Sequence, residues 1–247
     1  MPKKKITKKE NISSQKKQKK DNQLYWVFGA MAGLIILFLL AYSFFQSLNK
    51  FEYKGMSFTK TKFGEIPMYY YYFFTNTPTT TGKVISEPKM INLYLRNDPR
   101  ENNIPIDGEI ELLQGKFIYV GINATELKQC GYTSVALANF KSFFMANGFT
   151  VKGGVPDETE AERDNLEYVT CEKYPNNPVI IIQSGDETKI QRKKSGIKNI
   201  IRSESGIREE IEKTNCYIMT VNNCEILQAT EKFTVQSILD AKARQVL

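Results

Sequence analysis

The residues of this 247-residue chain that could do chemistry are four cysteines, a few carboxylates and two pairs of neighbouring serine and lysine. The sequence contains no histidine. Without histidine, Ser-His-Asp and Cys-His nucleophilic sites and histidine-dependent metal sites, as they are normally built, are excluded. The hydrolytic designs that stay open are a Ser/Lys dyad, paired carboxylates and a carboxylate metal site.

Several carboxylates are candidates for acid–base or ligand-binding chemistry. Glu109 and Glu111 are two residues apart on a predicted strand, so they share one face and would form a general acid/base or cation site; a solvated strand face explains them equally well. Asp98 precedes Arg100 by two residues and predicts an Asp–Arg turn pair, and Asp186 follows an apolar strand, where open α/β sheets bind ligands. A hydrolase would require at least two of five carboxylates to converge in a pocket: Asp98, Glu109, Glu111, Asp186 and Glu225.

Serine and lysine are neighbours at Lys141-Ser142 and at Lys194-Ser195. A desolvated lysine can activate a serine, but adjacency in sequence does not supply the geometry of a dyad. The chain also lacks the glycine-rich strand-to-helix turn that holds nucleotide phosphates. We therefore expect no catalytic residue, no metal site and no cofactor. A histidine-free hydrolase that uses carboxylates or a Ser/Lys pair is the alternative hypothesis.

The four cysteines predict two disulfide bonds, because an even number of cysteines outside the cytoplasm is typical of a disulfide framework. Three connectivities are open, and we favour Cys216–Cys224, which closes a short hairpin-like loop, with Cys130–Cys171, which ties a helix to a later strand. The chain has no CxxC motif and no paired close spacing, which argues against a thioredoxin-like centre and against a four-thiolate zinc site.

These candidate residues follow a segment, residues 24–48, that predicts a single transmembrane helix. Twenty-eight consecutive residues, 22–49, carry no charge, and about 20 helical residues suffice to cross the hydrocarbon core. Tyr25 and Trp26 at one end and Tyr42 at the other are typical of interfacial aromatic belts. The apolar stretch is longer than the core of a signal peptide, so we interpret it as an uncleaved signal-anchor, with a cleaved signal peptide as the alternative.

Gly29 and Gly33 form a GxxxG pair within this segment. Such pairs let two membrane helices approach closely, so the sequence predicts a candidate homodimer through the helix. Ordinary lipid-facing glycines are the competing interpretation.

Lysines dominate residues 1–23, which contain nine lysines against Glu10 and Asp21. This tail therefore carries the whole formal net charge of +7, and the other 224 residues balance at 25 basic and 25 acidic side chains. The positive-inside rule predicts a cytoplasmic tail and an extracytoplasmic C-terminal region at the cell membrane. The neutral outer region is not expected to bind nucleic acid; a tail that binds cytoplasmic nucleic acid or ribosomes is a third hypothesis.

The outer region predicts a mixture of strands and helices. Residues 49–121 are expected to be β-rich, as an antiparallel meander, because short apolar strands alternate with turn formers. Residues 122–247 are expected to form an α/β layer in which helices cover a mixed sheet. The predicted fold class is thus α+β or α/β: one N-terminal transmembrane helix, then a β-rich segment packed with a mixed-sheet α/β layer.

The predicted elements of residues 122–247 follow from apolar spacing and turn residues. Ile207 and Ile211 are one helical turn apart, and asparagine tolerates the positive φ of a tight turn. The order is a helix from Thr133 or Ser134 to Gly148, a strand at 149–152, a buried central strand at 179–183, a mobile loop at 185–194, a helix at 203–214, a strand at 216–221, a hairpin turn at Asn222-Asn223 into a strand at 224–229, and a helix at 234–245.

One predicted strand, IPMYYYYFF, contains six consecutive aromatic residues: Tyr69, Tyr70, Tyr71, Tyr72, Phe73 and Phe74. Because alternate side chains point to opposite faces of a strand, aromatic rings must lie on both. We expect one face to join the core and the other to form a candidate partner surface, the alternatives being a strand covered on both faces or one beside the membrane. Asn123-Ala124-Thr125 is a candidate glycosylation site on the outer side.

Four segments resemble a group of uncharacterised archaeal single-pass membrane proteins: FEYKGMSF, NLYLRNDPR, VIIIQSGDETKI and NCYIMTVNNCEILQATEKF. The resemblance covers most of residues 51–235 and implies an anchored surface protein, with no catalytic residue to carry over. The preferred hypothesis is a membrane-anchored extracytoplasmic module that binds proteins or supports envelope assembly. Its expected partners are the lipid bilayer and other envelope proteins.

Overall fold

The structure is a computed structural model that describes residues 7–75, 88–112, 117–203 and 206–246. The chain divides into two compact units, Met1–Phe51 and Glu52–Leu247. The first unit contains helix α1, Thr7–Leu48, and the segment Tyr25–Phe45 of this helix has a mean hydropathy of 2.3. The predicted apolar helix is therefore confirmed, and its 21 apolar residues are long enough to cross a bilayer.

A four-stranded sheet with the order β1-β2-β3-β4 follows, and its first strand contains the boundary between the two units. The pairs β2–β3 and β3–β4 are antiparallel, as the predicted meander requires. Gly55 and Gly64 have positive φ values of 73° and 62° in the two tight turns, a conformation that glycine adopts without strain. The strands are β1 Lys50–Tyr53, β2 Met56–Phe63, β3 Ile66–Thr75 and β4 Lys89–Leu95.

A six-stranded mixed sheet with the order β5-β9-β10-β8-β6-β7 forms the rest of the second unit. The strand pairs are parallel except for the β9–β10 hairpin. The strands are β5 Ile106–Asp107, β6 Phe117–Ile122, β7 Thr150–Gly154, β8 Val179–Ser184, β9 Lys189–Ser203 and β10 Gly206–Val221. The helices are α2 Ala124–Leu127, α3 Thr133–Ala146, α4 Glu158–Asp164 and α5 Ile226–Val246.

The core lies between this sheet and the pair α3 and α5. Strand β8 is buried from Val179 to Ile182, so the predicted central strand is confirmed. Phe140 and Phe144 of α3 stack edge-on against Phe233 of α5, with ring centres 5.4 and 6.3 Å apart. Helix α3 begins at Thr133, as predicted, with no side-chain cap, and the chain leaves it through Gly148 at φ 83°.

Three predicted elements in the last third of the chain are wrong. The loop at 185–194 and the helix at 203–214 are instead the long strands β9 and β10, because each strand pairs with the other over most of its length. The strand at 224–229 is instead the start of α5, since β10 pairs in parallel with β8 and does not turn back as a hairpin at Asn222. Residues 108–112 also lie outside any strand.

The structure pairs the cysteines as Cys130–Cys224 and Cys171–Cys216, with Cα atoms 5.2 and 5.6 Å apart. Two disulfides are present, as expected, but the predicted pairing is wrong. The reason lies in β10, which runs extended from Cys216 to Val221 beside β8 and carries Cys224 to the opposite end of the strand. At roughly 3.3 Å per residue, that length separates the two cysteines by far more than a disulfide can span.

Candidate functional site

The aromatic run of β3 is divided between two environments. Tyr71 is 6% exposed and packs on Phe58 at 5.3 Å between ring centres, whereas the adjacent Tyr72 is 51% exposed. Tyr69 and Phe73 are half-buried on the same side as Tyr71. Burial raises the pKa of Tyr69, and the negative charge of Asp98 raises it further to a smaller extent. One side of the strand therefore belongs to the core.

The other side of β3 forms part of an uncharged surface, here called the aromatic face. The strand register places alternate residues of β2, β3 and β4 on this side. None of these residues carries a charge, although 25% of the residues in the chain are charged. Phe63, Tyr72, Phe74, Met90 and Tyr94 are each between 48% and 77% exposed. The aromatic face comprises Thr59, Thr61, Phe63, Ile66, Met68, Tyr70, Tyr72, Phe74, Met90, Asn92 and Tyr94.

The rings of the aromatic face hold one another in place. The Tyr70 ring lies 5.0 Å from that of Tyr94 and 6.1 Å from that of Tyr72, and Tyr72 meets Phe74 edge-on at 6.0 Å. The Tyr70 hydroxyl donates a hydrogen bond of 2.9 Å to Asn92 Oδ1. Aromatic pairs in these geometries stabilise beyond their buried area, so the face is ordered before any contact is made.

Asp98 and Arg100 form the predicted turn pair. Asp98 accepts hydrogen bonds from Arg100 Nε at 3.0 Å, Nη2 at 2.6 Å and the backbone N–H at 3.0 Å. These bonds lower the pKa of the Asp98 carboxyl, and burial opposes them. The side chain of Asp98 is 5% exposed, so the pair stabilises the turn after β4.

Sequence reasoning missed the buried carboxylate of Glu231. It accepts hydrogen bonds from the Arg96 N–H at 2.6 Å and from both the backbone and side-chain amides of Asn97 at 3.1 and 2.8 Å. Burial raises the pKa of Glu231, against the lowering effect of these bonds. Glu231 thereby ties α5 to the end of β4. No local signal distinguished this carboxylate, because polar and apolar residues are mixed along α5.

The remaining predicted carboxylates lie in two places. Asp186 and Glu225 line the same open cleft of about 460 Å³, at the carboxyl ends of β8 and β10, together with Glu101 and Glu187. Glu111 instead forms an ion pair with Arg192 at 3.5 Å. Arg192 Nη1 also donates to the backbone oxygen of Glu109 at 3.3 Å.

The other sequence candidates are dispersed. Asn123 caps α2 by accepting a 3.4 Å hydrogen bond from the Glu126 N–H. Lys141 and Ser142 are exposed on α3, and the side chains of Lys194 and Ser195 lie outside the described part of the structure. Tyr25, Trp26 and Tyr42 are exposed on α1, and added Cβ atoms at Gly29 and Gly33 would meet no described atom within 4 Å. Among the described residues, no group of three or more cysteines and carboxylates is arranged to hold a metal ion.

No protein-family model, curated protein or solved structure matches this chain. The resemblance to archaeal single-pass membrane proteins stays a prediction. The geometry of the described residues is therefore the basis for assigning a function.

Proposed function

We propose that this chain is a single-pass membrane protein whose extracytoplasmic domain binds another envelope protein through the aromatic face. The apolar helix and the nine-lysine tail before it support an anchor with its N-terminus in the cytoplasm. The two disulfides support an oxidising location for the rest of the chain. The resemblance to archaeal surface proteins agrees with this location.

The observation that carries the proposal is the composition of the aromatic face. Interface cores are enriched in tyrosine, phenylalanine and methionine and depleted of lysine, aspartate and glutamate. All the residues of the face are uncharged, and six large apolar side chains on it are exposed. A surface for anionic lipid or nucleic acid would require lysine or arginine on the face itself. The partner that we propose for the aromatic face is a protein with an uncharged, apolar surface.

Site-specific photo-cross-linking in the cells that produce the protein tests this proposal. A benzoylphenylalanine at position 72 should give one discrete cross-linked product of the full chain. The same group at position 142, an exposed position on α3, should not. Equal cross-linking from both positions, or none from position 72, would contradict the proposal.

The identified partner then provides a binding test with the purified full chain. Tyr72→Glu places a charge in the centre of the aromatic face and should weaken binding by at least about tenfold, as expected for an interface hot spot. Ser142→Glu adds the same charge on an exposed helix position and should leave binding unchanged. Unaltered binding by Tyr72→Glu would assign the partner to another surface.

A homodimer through α1 is a separate proposal, supported by the GxxxG pair with open space at both glycines. If the cross-linked product from position 72 is a second copy of the chain, Gly29→Leu with Gly33→Leu distinguishes the two contacts. Loss of the product in the glycine variant would make the helix the primary contact, while its persistence would favour the aromatic face.

A histidine-free hydrolase is the second candidate, because Asp186 and Glu225 line one cleft. Turnover of a peptide or glycoside by the full chain that Asp186→Asn and Glu225→Gln each abolish, and Glu109→Gln leaves intact, would support it. Turnover that survives both cleft substitutions would exclude these two carboxylates as the catalytic pair.

A further inference from the structure

A second concave site lies on the opposite side of β3 from the centre of the aromatic face. It is a cleft of about 340 Å³ between the end of β3, the end of α3 and the last turns of α5. This volume falls in the lower range of small-molecule sites. Its apolar wall consists of Phe73, Leu112, Phe143, Phe149, Ile238 and Ala241, and Phe74 of the aromatic face borders it. Phe143, Phe149 and Ile238 are each at most 9% exposed, so the floor of the cleft is part of the core.

The charged residues that line the cleft are both cations. Lys242 and Arg244 of α5 reach its rim, and no carboxylate is among the lining residues. Within the described part of the chain, neither cation forms an ion pair with an acidic side chain. Asp240, on the same helix, has its two oxygens engaged by the Ile110 N–H and by Gln236 Nε2, each at 2.7 Å.

Contacts within the domain orient both cations. The Lys242 ammonium lies 5.2 Å from the centre of the Tyr71 ring, a cation–π distance. Arg244 Nη1 donates a 3.2 Å hydrogen bond to the backbone oxygen of Ile110. An arginine has five N–H donors, so this bond fixes the guanidinium and leaves donors for a ligand. Cations near the C-terminus of a helix also offset its partial negative charge, but that role requires no apolar cleft beside them.

We propose that this cleft binds a small amphipathic carboxylate, with an apolar chain or ring against the phenylalanines and its carboxylate at Lys242 and Arg244. The proposal rests on charge complementarity: an apolar wall alone would accept any hydrophobic group, whereas two cations without an acidic partner select an anion. Arginine suits a carboxylate in particular, because its planar fork donates two parallel hydrogen bonds. Phe74 borders both the cleft and the aromatic face, but the proposed ligand class follows from Lys242 and Arg244, which lie outside that face.

Ligand-observed NMR on the full chain in lipid nanodiscs, with empty nanodiscs subtracted, tests the proposal. The probes are 4-phenylbutyrate, the neutral 4-phenylbutanol and the cationic 4-phenylbutylamine, which share one apolar part. We expect the acid to bind at least about tenfold more tightly than the alcohol, since one charge-assisted hydrogen bond is sufficient for that factor. We expect no binding of the amine. Equal binding of acid and alcohol would overturn the proposal.

Substitutions of the lining residues test whether 4-phenylbutyrate binds in this cleft. Lys242→Met and Arg244→Met should each weaken binding of 4-phenylbutyrate by about tenfold, and Lys242→Arg should restore it. Lys141→Met, an exposed lysine on α3, removes the same charge elsewhere and should have no effect. Ala241→Phe fills the cleft and should abolish binding while the thermal unfolding midpoint is kept. If Ala241→Phe unfolds the chain, the two methionine variants decide the outcome alone.

The chain itself is the competing occupant, because Thr75 and Leu112 at the edge of the cleft precede residues 76–87 and 113–116. Replacement of residues 76–88 by the two-residue turn Asn-Gly provides the control, because it keeps the pairing of Thr75 with Lys89. Binding of 4-phenylbutyrate to the unaltered chain supports the proposal. Binding that begins only after the replacement would show that this segment occupies the cleft, and would overturn the proposal.

Discussion

The two sheets of the domain differ in how many of their faces are covered. In the six-stranded sheet, β8 buries four consecutive residues, Val179–Ile182. In the four-stranded sheet, β4 alternates, so that Ile91, Leu93 and Leu95 are buried while the residues between them are exposed. A strand covered on both faces needs apolar residues throughout. The fold makes no such demand on the exposed face of β3 and β4, so its aromatic side chains are available to a partner.

The largest loss of stability is expected from a substitution in the six-stranded sheet, because β8 is buried on both faces. Ile180 is fully buried, and Ile180→Ala should lower the free energy of unfolding by about 2–5 kcal/mol, because it removes buried methyl groups and leaves a cavity. Tyr72→Ala in the aromatic face should cost less than about 1 kcal/mol. Urea unfolding of the full chain in detergent micelles measures both. Similar losses would mean that the aromatic face is needed for folding.

Removal of a disulfide should also act on the six-stranded sheet. Cys171→Ser with Cys216→Ser should lower the free energy of unfolding by about 2–4 kcal/mol, because the bond restricts the unfolded chain. Hydrogen exchange, measured by mass spectrometry, should accelerate in β8 and β10 and stay unchanged in β2 and β3. Equal acceleration in both sheets would show that they open as one unit.

Glu231 tests how the two sheets are held together. Glu231→Gln replaces an acceptor oxygen by a donor that faces the Asn97 amides, so we expect a loss of about 1–3 kcal/mol at neutral pH. Burial raises the pKa of Glu231 above its ordinary value of 4.5. The wild-type chain should therefore lose stability as the pH rises from about 4.5 through the raised pKa of the folded state. The glutamine variant should lack this decline in a pH series of urea unfolding curves.

Asp98 lies in the same connection between the sheets. Its contribution to stability should be smaller than that of Glu231 and should depend on pH in the opposite direction. The hydrogen bonds from Arg100 lower the pKa of Asp98 below its ordinary value of 3.8. Its stabilising contribution is present above that value and is lost as the pH falls through the lowered pKa. Asp98→Asn should flatten this acid limb and leave in place the decline that Glu231 causes as the pH rises above about 4.5. An unchanged acid limb would mean that the pair contributes nothing to folding.

The sequence predicted those elements whose local pattern agrees with their pairing. The apolar helix, the antiparallel strands up to β4, the buried strand β8 and helix α3 with its exit at Gly148 are examples. Strands β9 and β10 escaped prediction because the segment 185–194 is polar, which is typical of a loop, and because Ile207 and Ile211 have helical spacing. Only the long pairing between the two strands decides their state.

The candidate sites were predictable to different degrees. The aromatic run indicated a surface, but the register against β4 was needed to identify Tyr70, Tyr72 and Phe74 as the members on its outer side. The cleft beside Lys242 and Arg244 could not be predicted, because its walls come from three elements far apart in the sequence. The disulfide pairing could not be predicted either, because the spacing of cysteines does not fix their connectivity.

The disulfides also determine what happens to the chain after proteolytic cleavage. The Cys171–Cys216 bond lies inside the segment closed by Cys130–Cys224, so the two bonds are nested. A single cut anywhere from residue 131 to residue 223 leaves the two fragments covalently joined, and a cut between residues 172 and 215 leaves them joined by both bonds. That doubly linked interval contains β9 and its connection to β10. A protein nicked there would keep helix α5 covalently attached to helix α1 until both bonds were reduced.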